Sequence, residues 1–344
     1  MRYTLFALLI VVAACSDRGT FSFAPADPAA SAYDIFVANF RPTDPPATGD
    51  RSPPRPSRIS YEKYRMSVPP THEPGTVAWP KGTPNAATDM VSLSHNTYDD
   101  MGRFVQSVRS EIDEVNEVMV FVHGYNTNHA EAVHLLTQVS HDFQVPVPTV
   151  LFSWPSAARA VGYLYDRDSV LIARDQLEDL LVALSQRQKV VIMAHSMGNL
   201  LVMETLRQIG RSRSMDIRND ISALFMISPD IDGELFFTQA ASLPSLPQYS
   251  VVLAAEQDIA LRVSAFLTGR SNRLGSDIDR TSVGDLPITV VDVSAFSDGG
   301  LEHKVALASP AAIAVLSRLN LDTLPGDDRF DRVVRVTPEG PDAR

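Results

Sequence analysis

Ser196 stands where a serine can be made into a nucleophile. Lys189 to Leu206 reads as an apolar run (Val190, Val191, Ile192, Met193), the pentapeptide Ala194-His195-Ser196-Met197-Gly198, and then Leu200, Leu201, Met203 and Leu206 at helical spacing. Five residues must therefore turn a strand into a helix. Such a turn needs small neighbours, because the residues flanking the serine lie against each other on a strained backbone. The pattern is G-x-S-x-G with Ala194 in place of the first glycine. A serine hydroxyl is a weak nucleophile at neutral pH, so the placement is productive only with a base in reach and a third group to orient that base.

Where this kind of turn sits in a parallel α/β sheet, the partners follow in the chain order nucleophile, acid, histidine. Of eight histidines only His303 follows residue 195, so it is the candidate base. It sits in Asp298-Gly-Gly-Leu-Glu-His303, a glycine-bearing stretch after the last strand-like run. The acid belongs at the carboxyl end of an intervening strand. Asp258, after Ser250-Val-Val-Leu-Ala-Ala-Glu-Gln, is preferred because its strand is the last before the histidine-bearing one. Asp230 and Asp232 in Ser228-Pro-Asp-Ile-Asp232-Gly are the alternatives. An oxyanion needs backbone N–H donors, each worth on the order of 3 kcal/mol of activation free energy. Met197 offers one at the start of its helix, and Tyr125 offers the other from the turn His123-Gly124-Tyr125, where the glycine permits close approach. His123 reads as a structural hydrogen-bonder, and His195 is expected to point away from the chemistry.

These groups need a sheet to present them. Val118 to Val122 is a buried strand stopping at His123, and Thr149 to Trp154, Ile221 to Ile227, Ser250 to Ala254 and Ile288 to Val293 are further strand-like runs. Helical sequence runs from His129 to about Phe143, and Leu177, Leu180, Leu181 and Leu184 form one apolar stripe. Pro310 to Leu319 reads as a closing helix. Strands alternating with helices imply a mostly parallel central sheet covered by helices on both faces, an α/β fold. Tyr33 to Phe40, Tyr64 to Val68 and Thr76 to Trp79 are strand-like additions, and residues 34–40 read as one edge strand.

With 344 residues, 44% of them hydrophobic, the chain suits one large domain. A net charge of -11 without clustered Lys or Arg argues against a nucleic-acid partner. No dinucleotide fingerprint, P-loop or zinc-type cluster is found, so neither cofactor nor metal is expected. Leu5 to Ala14 is an apolar run too short to span a bilayer as a mature helix, and residues 1–14 read as a secretory signal. Its end, Val12-Ala13-Ala14-Cys15, resembles the bacterial lipobox, which makes Cys15, the one cysteine of the chain, a lipidated amino terminus. Ser16 favours the outer membrane over the inner one. The expected organisation is a lipid-anchored, proline-rich spacer over 15–57, a domain over 58–320 and a polar tail over 321–344.

Six blocks carry a family resemblance: Phe121-Val-His-Gly-Tyr-Asn126, Phe152-Ser-Trp-Pro-Ser156, Tyr165-Asp166, His195-Ser-Met-Gly198, Ser228-Pro-Asp-Ile-Asp232, and Asp258-Ile-Ala-Leu with Arg273-Leu-Gly. In this order they resemble an uncharacterised bacterial branch of the α/β hydrolases, the domain-of-unknown-function family 900. Phe36-Val-Ala-Asn-Phe-Arg41 and Tyr64-Arg-Met-Ser-Val-Pro69 extend the likeness, with Ala38-Asn39-Phe40 departing from a usual Thr-Thr-like pair. The resemblance implies an α/β-hydrolase fold and an esterase- or lipase-like serine hydrolase with its triad on Ser196, Asp258 and His303, acting on a small-molecule or lipid ester. A non-catalytic envelope scaffold on the same fold and a serine amidase or peptidase are the competing readings. Two segments bear on specificity. Gly233 to Gln248, with Leu235, Phe236, Phe237, Leu243 and Leu246, is either a cap or an ordinary packed helix. Ile259 to Leu286 carries Arg262, Arg270, Arg273 and Arg280, which either meet an anionic substrate or lipid headgroup or are solvated and balanced by Asp277, Asp279 and Asp285.

Overall fold

The computed structural model describes residues 18–42, 55–112, 114–247, 249–256, 258–269, 273–276, 286–296, 303, 305–316, 333–337 and 340–343. The expected signal segment, Cys15, Ser16, residues 43–54 of the expected spacer, Arg270, Arg280, Asp277, Asp279 and Asp285 lie outside them.

The strands are β1 (Ser31–Asn39), β2 (Ser60–Val68), β3 (Val91–Tyr98), β4 (Glu117–Val122), β5 (Thr149–Ser153), β6 (Lys189–His195), β7 (Ile221–Ile227), β8 (Tyr249–Ala254), β9 (Thr289–Asp292), β10 (Val333–Thr337) and β11 (Gly340–Ala343). They form one sheet in the order β11-β10-β9-β8-β7-β6-β4-β5-β1-β2-β3. Every neighbouring pair from β10 to β1 is parallel, while β2, β3 and β11 add antiparallel pairings at the two ends.

The helices are α1 (Met101–Arg109), α2 (His129–Asp142), α3 (Tyr163–Ser185), α4 (Gly198–Ser212), α5 (Ile217–Asp220), α6 (Gly233–Ala241), α7 (Ile259–Thr268), α8 (Val305–Ala308) and α9 (Pro310–Leu316). Strand β4 shows why both faces are covered. Val118, Val120 and Val122 join the core under α1, α3 and α4, whereas Met119 and Phe121 join Val133, Leu136 and Val139 of α2 on the other face. A strand buried on both sides has no polar face, which is why its sequence is a continuous apolar run. Among the described residues no helix is long and apolar enough to cross a membrane.

The ends of the chain depart from expectation. Strand β1 is not an edge strand: it lies between β5 and β2, and Ile35 to Ala38 are fully buried. Nor is all of 15–57 a spacer. Arg18 donates to the Asn126 side chain and carbonyl, each at 3.0 Å, and pairs with Glu131 at 2.5 Å. Arg55 donates to Ser169 Oγ and the Tyr165 carbonyl, each at 3.0 Å, and lies over the Tyr165 ring. Proline density signals an extended backbone, and an extended backbone can pack as readily as it can dangle. Thr76 to Trp79 forms no strand; Trp79 instead lies against His134, ring centroids 4.2 Å apart. The expected tail contributes β10 and β11, because β-branched Val333-Val-Arg-Val-Thr337 satisfies the edge that β9 would otherwise expose.

Candidate active site

Ser196 is built as a locked elbow. Its amide continues the sheet ladder by donating to the Ile227 carbonyl at 2.9 Å, and its φ is 53°, in the left-handed region. That backbone is costly for a residue with a side chain, of order 1–3 kcal/mol. Three donors fix it: the Asn199 amide at 3.1 Å, the Asn199 side chain at 3.0 Å and the Asp230 amide at 3.2 Å all reach the Ser196 carbonyl. Met197 follows at φ -64° as the N-cap of α4, so its amide lies ahead of the helix's own ladder. Gly198 is required by packing, since a Cβ there would lie 2.5 Å from the His123 carbonyl oxygen. Asn126, Ala158 and Ser228, in the segments after β4, β5 and β7, also have positive φ. Four such residues thus stand at the carboxyl edge of the sheet, while Asn116, Gln144 and Arg213 adopt the same region elsewhere.

His303 and Asp258 are in contact. The Nδ1–H of His303 donates to Asp258 Oδ2 at 2.8 Å, and the other oxygen of Asp258 caps α7 by accepting the Leu261 amide at 3.0 Å. Asp258 is fully buried. With Nδ1 committed as donor to a carboxylate, Nε2 of the neutral ring is left as the acceptor. His195 corrects the expectation that it points away. Its Nε2–H donates to the His303 carbonyl at 3.0 Å, and the two rings lie 4.8 Å apart. The residue before Ser196 therefore anchors the backbone of the histidine, an arrangement that residue spacing alone did not reveal.

The turn after β4 is pressed onto this elbow. A Cβ on Gly124 would lie 2.9 Å from the Ser196 Cβ and 2.8 Å from the His195 ring, so only glycine lets the turn approach. Tyr125 is oriented by its hydroxyl, which donates to the Ala160 carbonyl, and by edge-to-face contact with Tyr163 at 5.4 Å. Beneath it lies a buried polar network centred on Arg41. Its guanidinium donates to Ser153 Oγ at 2.7 Å, to the Thr127 carbonyl at 2.7 Å and to His123 Nε2 at 2.8 Å. His123 also accepts the Trp154 amide at 3.1 Å and stacks on its ring, making it the structural hydrogen-bonder anticipated. Burial, with the Arg41 charge adding to it, pushes His123 well below its ordinary pKa, which keeps it neutral. Burial also lowers Arg41 to about 10. Asp166 closes the network by accepting from Ser156 Oγ at 2.6 Å, the Ala157 amide at 2.6 Å and the Asn126 amide at 3.2 Å. Burial raises its pKa above the ordinary carboxylate value.

The rival acids are engaged elsewhere. Asp230 accepts from Tyr163 Oη at 2.9 Å and Ser264 Oγ at 2.6 Å and pairs with Arg273 at 3.4 Å. Asp232 caps α6 through the Leu235 amide at 3.1 Å. Arg273 is buried, so it is unavailable to a headgroup, whereas Arg262 is exposed. Residues 233–241 pack as an ordinary helix along α4: Phe236 is buried, and Gln239 donates to Glu204 at 2.7 Å. Away from the elbow, His72, His141 and Asp142 bring ligand-type atoms within 4.8 Å of one another. That cluster is a hydrogen-bonded clasp in which Asp142 meets His72, the Gly75 amide and Gln138 at 2.6 to 2.7 Å.

A nucleophile-type elbow between a parallel strand and its helix, in a sheet wrapped by helices, defines an α/β hydrolase. The chain belongs to the family described as alpha/beta hydrolase of unknown function (DUF900), whose profile matches residues 102–319. No curated protein matches the chain. Among solved structures it is similar to phospholipase PlaB from Legionella pneumophila in complex with thio-NAD, at 15% identity, 42% of this chain, 38% of that chain and a TM-score of 0.25. The chain thus spans well under half the length of that phospholipase. It is also similar to an esterase from Pyrobaculum calidifontis (11% identity, 92% and 90% coverage, TM-score 0.33) and to an arylesterase (12% identity, 81% and 85% coverage, TM-score 0.33).

Proposed function

We propose that the protein is a serine hydrolase of carboxylic esters, anchored in the bacterial envelope by a lipid on Cys15. The observation that carries the catalytic part is the 2.8 Å contact from His303 Nδ1 to the buried Asp258 carboxylate, with the His303 backbone tied to His195, the residue before a serine held at φ 53°. In this reading His303 Nε2 takes the proton of Ser196 Oγ as that oxygen bonds to the ester carbonyl carbon. The negative oxygen rests on the Met197 and Tyr125 amides. Collapse breaks the bond to the alcohol, which leaves with the proton from His303, and water then releases the acid by the same steps. Asp258 orients the ring and stabilises its charged form. The anchoring part is supported by the apolar run ending at Cys15 and by the absence of any second cysteine.

The test is labelling of the full chain with a fluorophosphonate, followed by mapping of the modified residue. Label on Ser196, lost in Ser196→Ala and strongly reduced in His303→Ala, is expected. Ser196→Ala should abolish ester turnover and leave the melting temperature nearly unchanged. A Ser196→Ala protein that hydrolyses esters at the wild-type rate would sink the assignment.

A further inference from the structure

Helix α7 has two faces. Leu261, Ser264 and Ala265 are buried, and Ser264 reaches Asp230, whose amide in turn holds the Ser196 carbonyl. Ile259, Arg262 and Phe266, three and four residues apart, share the opposite side: Ile259 is 40% and Phe266 83% exposed, with the exposed Arg262 between them. Val161 and Leu164, 81% and 72% exposed, flank Tyr163, which meets the same Asp230. Four large apolar side chains and a cation thus stand outward on the edge that carries Ser196, His303 and the Tyr125 turn. An apolar stripe interrupted by Arg is the composition of a helix that lies in a membrane interface.

The start of the described chain bears on what covers this edge. Arg18 is fixed to Asn126, the neighbour of Tyr125, so residue 18 lies on the same edge. Two residues separate it from Cys15, and the three steps between them reach at most about 10 Å however they run. A lipid on Cys15 would therefore hold this edge close to the bilayer.

We infer that the outer face of α7, with Val161 and Leu164, is the surface on which the protein rests against a lipid bilayer, so that its substrate is a lipid ester drawn from that bilayer. The contact rests on the lipidation reading and the substrate on the hydrolase reading. Phe266→Trp in the full chain, mixed with phosphatidylethanolamine and phosphatidylglycerol vesicles carrying brominated acyl chains, separates them, because quenching is read whether or not any ester turns over. The added emission should be quenched. Ile259→Ser with Phe266→Ser should weaken hydrolysis of vesicle lipid on the order of tenfold while leaving a soluble short-chain ester unaffected. An introduced tryptophan that stays unquenched on membrane-bound protein overturns the contact, even if soluble esters are hydrolysed. One already shielded in a dimer before vesicles are added overturns it in favour of a second copy of the chain. Quenching with soluble-ester turnover but no attack on vesicle lipid overturns the substrate class.

Discussion

The bond from His195 Nε2–H to the His303 carbonyl ties the residue before Ser196, the proposed nucleophile, to the backbone of the proposed base, while Asp258 ties down its ring. A base held at only one of these points can swing, and misplacement by about 1 Å can cost on the order of a hundredfold in rate. His195→Phe, which keeps a ring but removes the donor, is expected to lower kcat on the order of tenfold or more with KM little changed. Steady-state kinetics on a soluble ester, with fluorophosphonate labelling still mapping to Ser196, checks this; an unchanged kcat would remove His195 from the positioning set. Elimination along the chain singled out His303, the one histidine after the elbow, while Asp258 was a preference over Asp230 and Asp232 that strand order alone supplied. It did not identify His195, since which way a ring points is set by close contacts such as Gly124 against it, and spacing carries no record of those.

At the scale of elements, the turn that carries Tyr125 is placed by Arg41, two residues past the end of β1. Arg41 connects β1 to the segments after β4 and β5 through Ser153, Thr127 and His123. Removing it strands several buried acceptors at once. Arg41→Met should therefore cost about 3 kcal/mol of stability, visible as a lower thermal midpoint, and should depress ester turnover along with it. Arg41→Lys should recover little, because a point charge cannot serve three partners arranged around a planar fork. The continuous apolar runs β4 to β9 were legible from residue type alone. Strand β3 was not, since Ser94 to Thr97 are polar and face out, and β1 read as an edge because its neighbour β5 is remote in sequence. The role of Arg41 was hidden for the same reason: a charge beside a proline-rich stretch looks solvated until its distant partners are known.

At the scale of the molecule, the buried histidines make stability depend on pH in a definite direction. Burial pushes His134 down to about 4, and His123 is lowered in the same sense. The unfolded chain binds these protons below about pH 6.5 and the folded chain does not, so their contribution is intact above that pH and declines as pH falls toward 4. For His134 the decline amounts to about 3 kcal/mol. His134→Phe, which keeps a ring beside Trp79, should flatten this limb of the curve of denaturation midpoint against pH, and a limb of unchanged slope would contradict it. The pairing of Ile35 with Thr149 and of Asn39 with Ser153 sets a further condition on how the protein is made. The first described strand has as its parallel neighbour the fifth, made only after β2, β3, β4 and two helices, so until then β1 is an apolar segment with nowhere to lie on that side. A newborn chain of this design must be kept from aggregating until β5 arrives, and it is poorly suited to folding one end at a time.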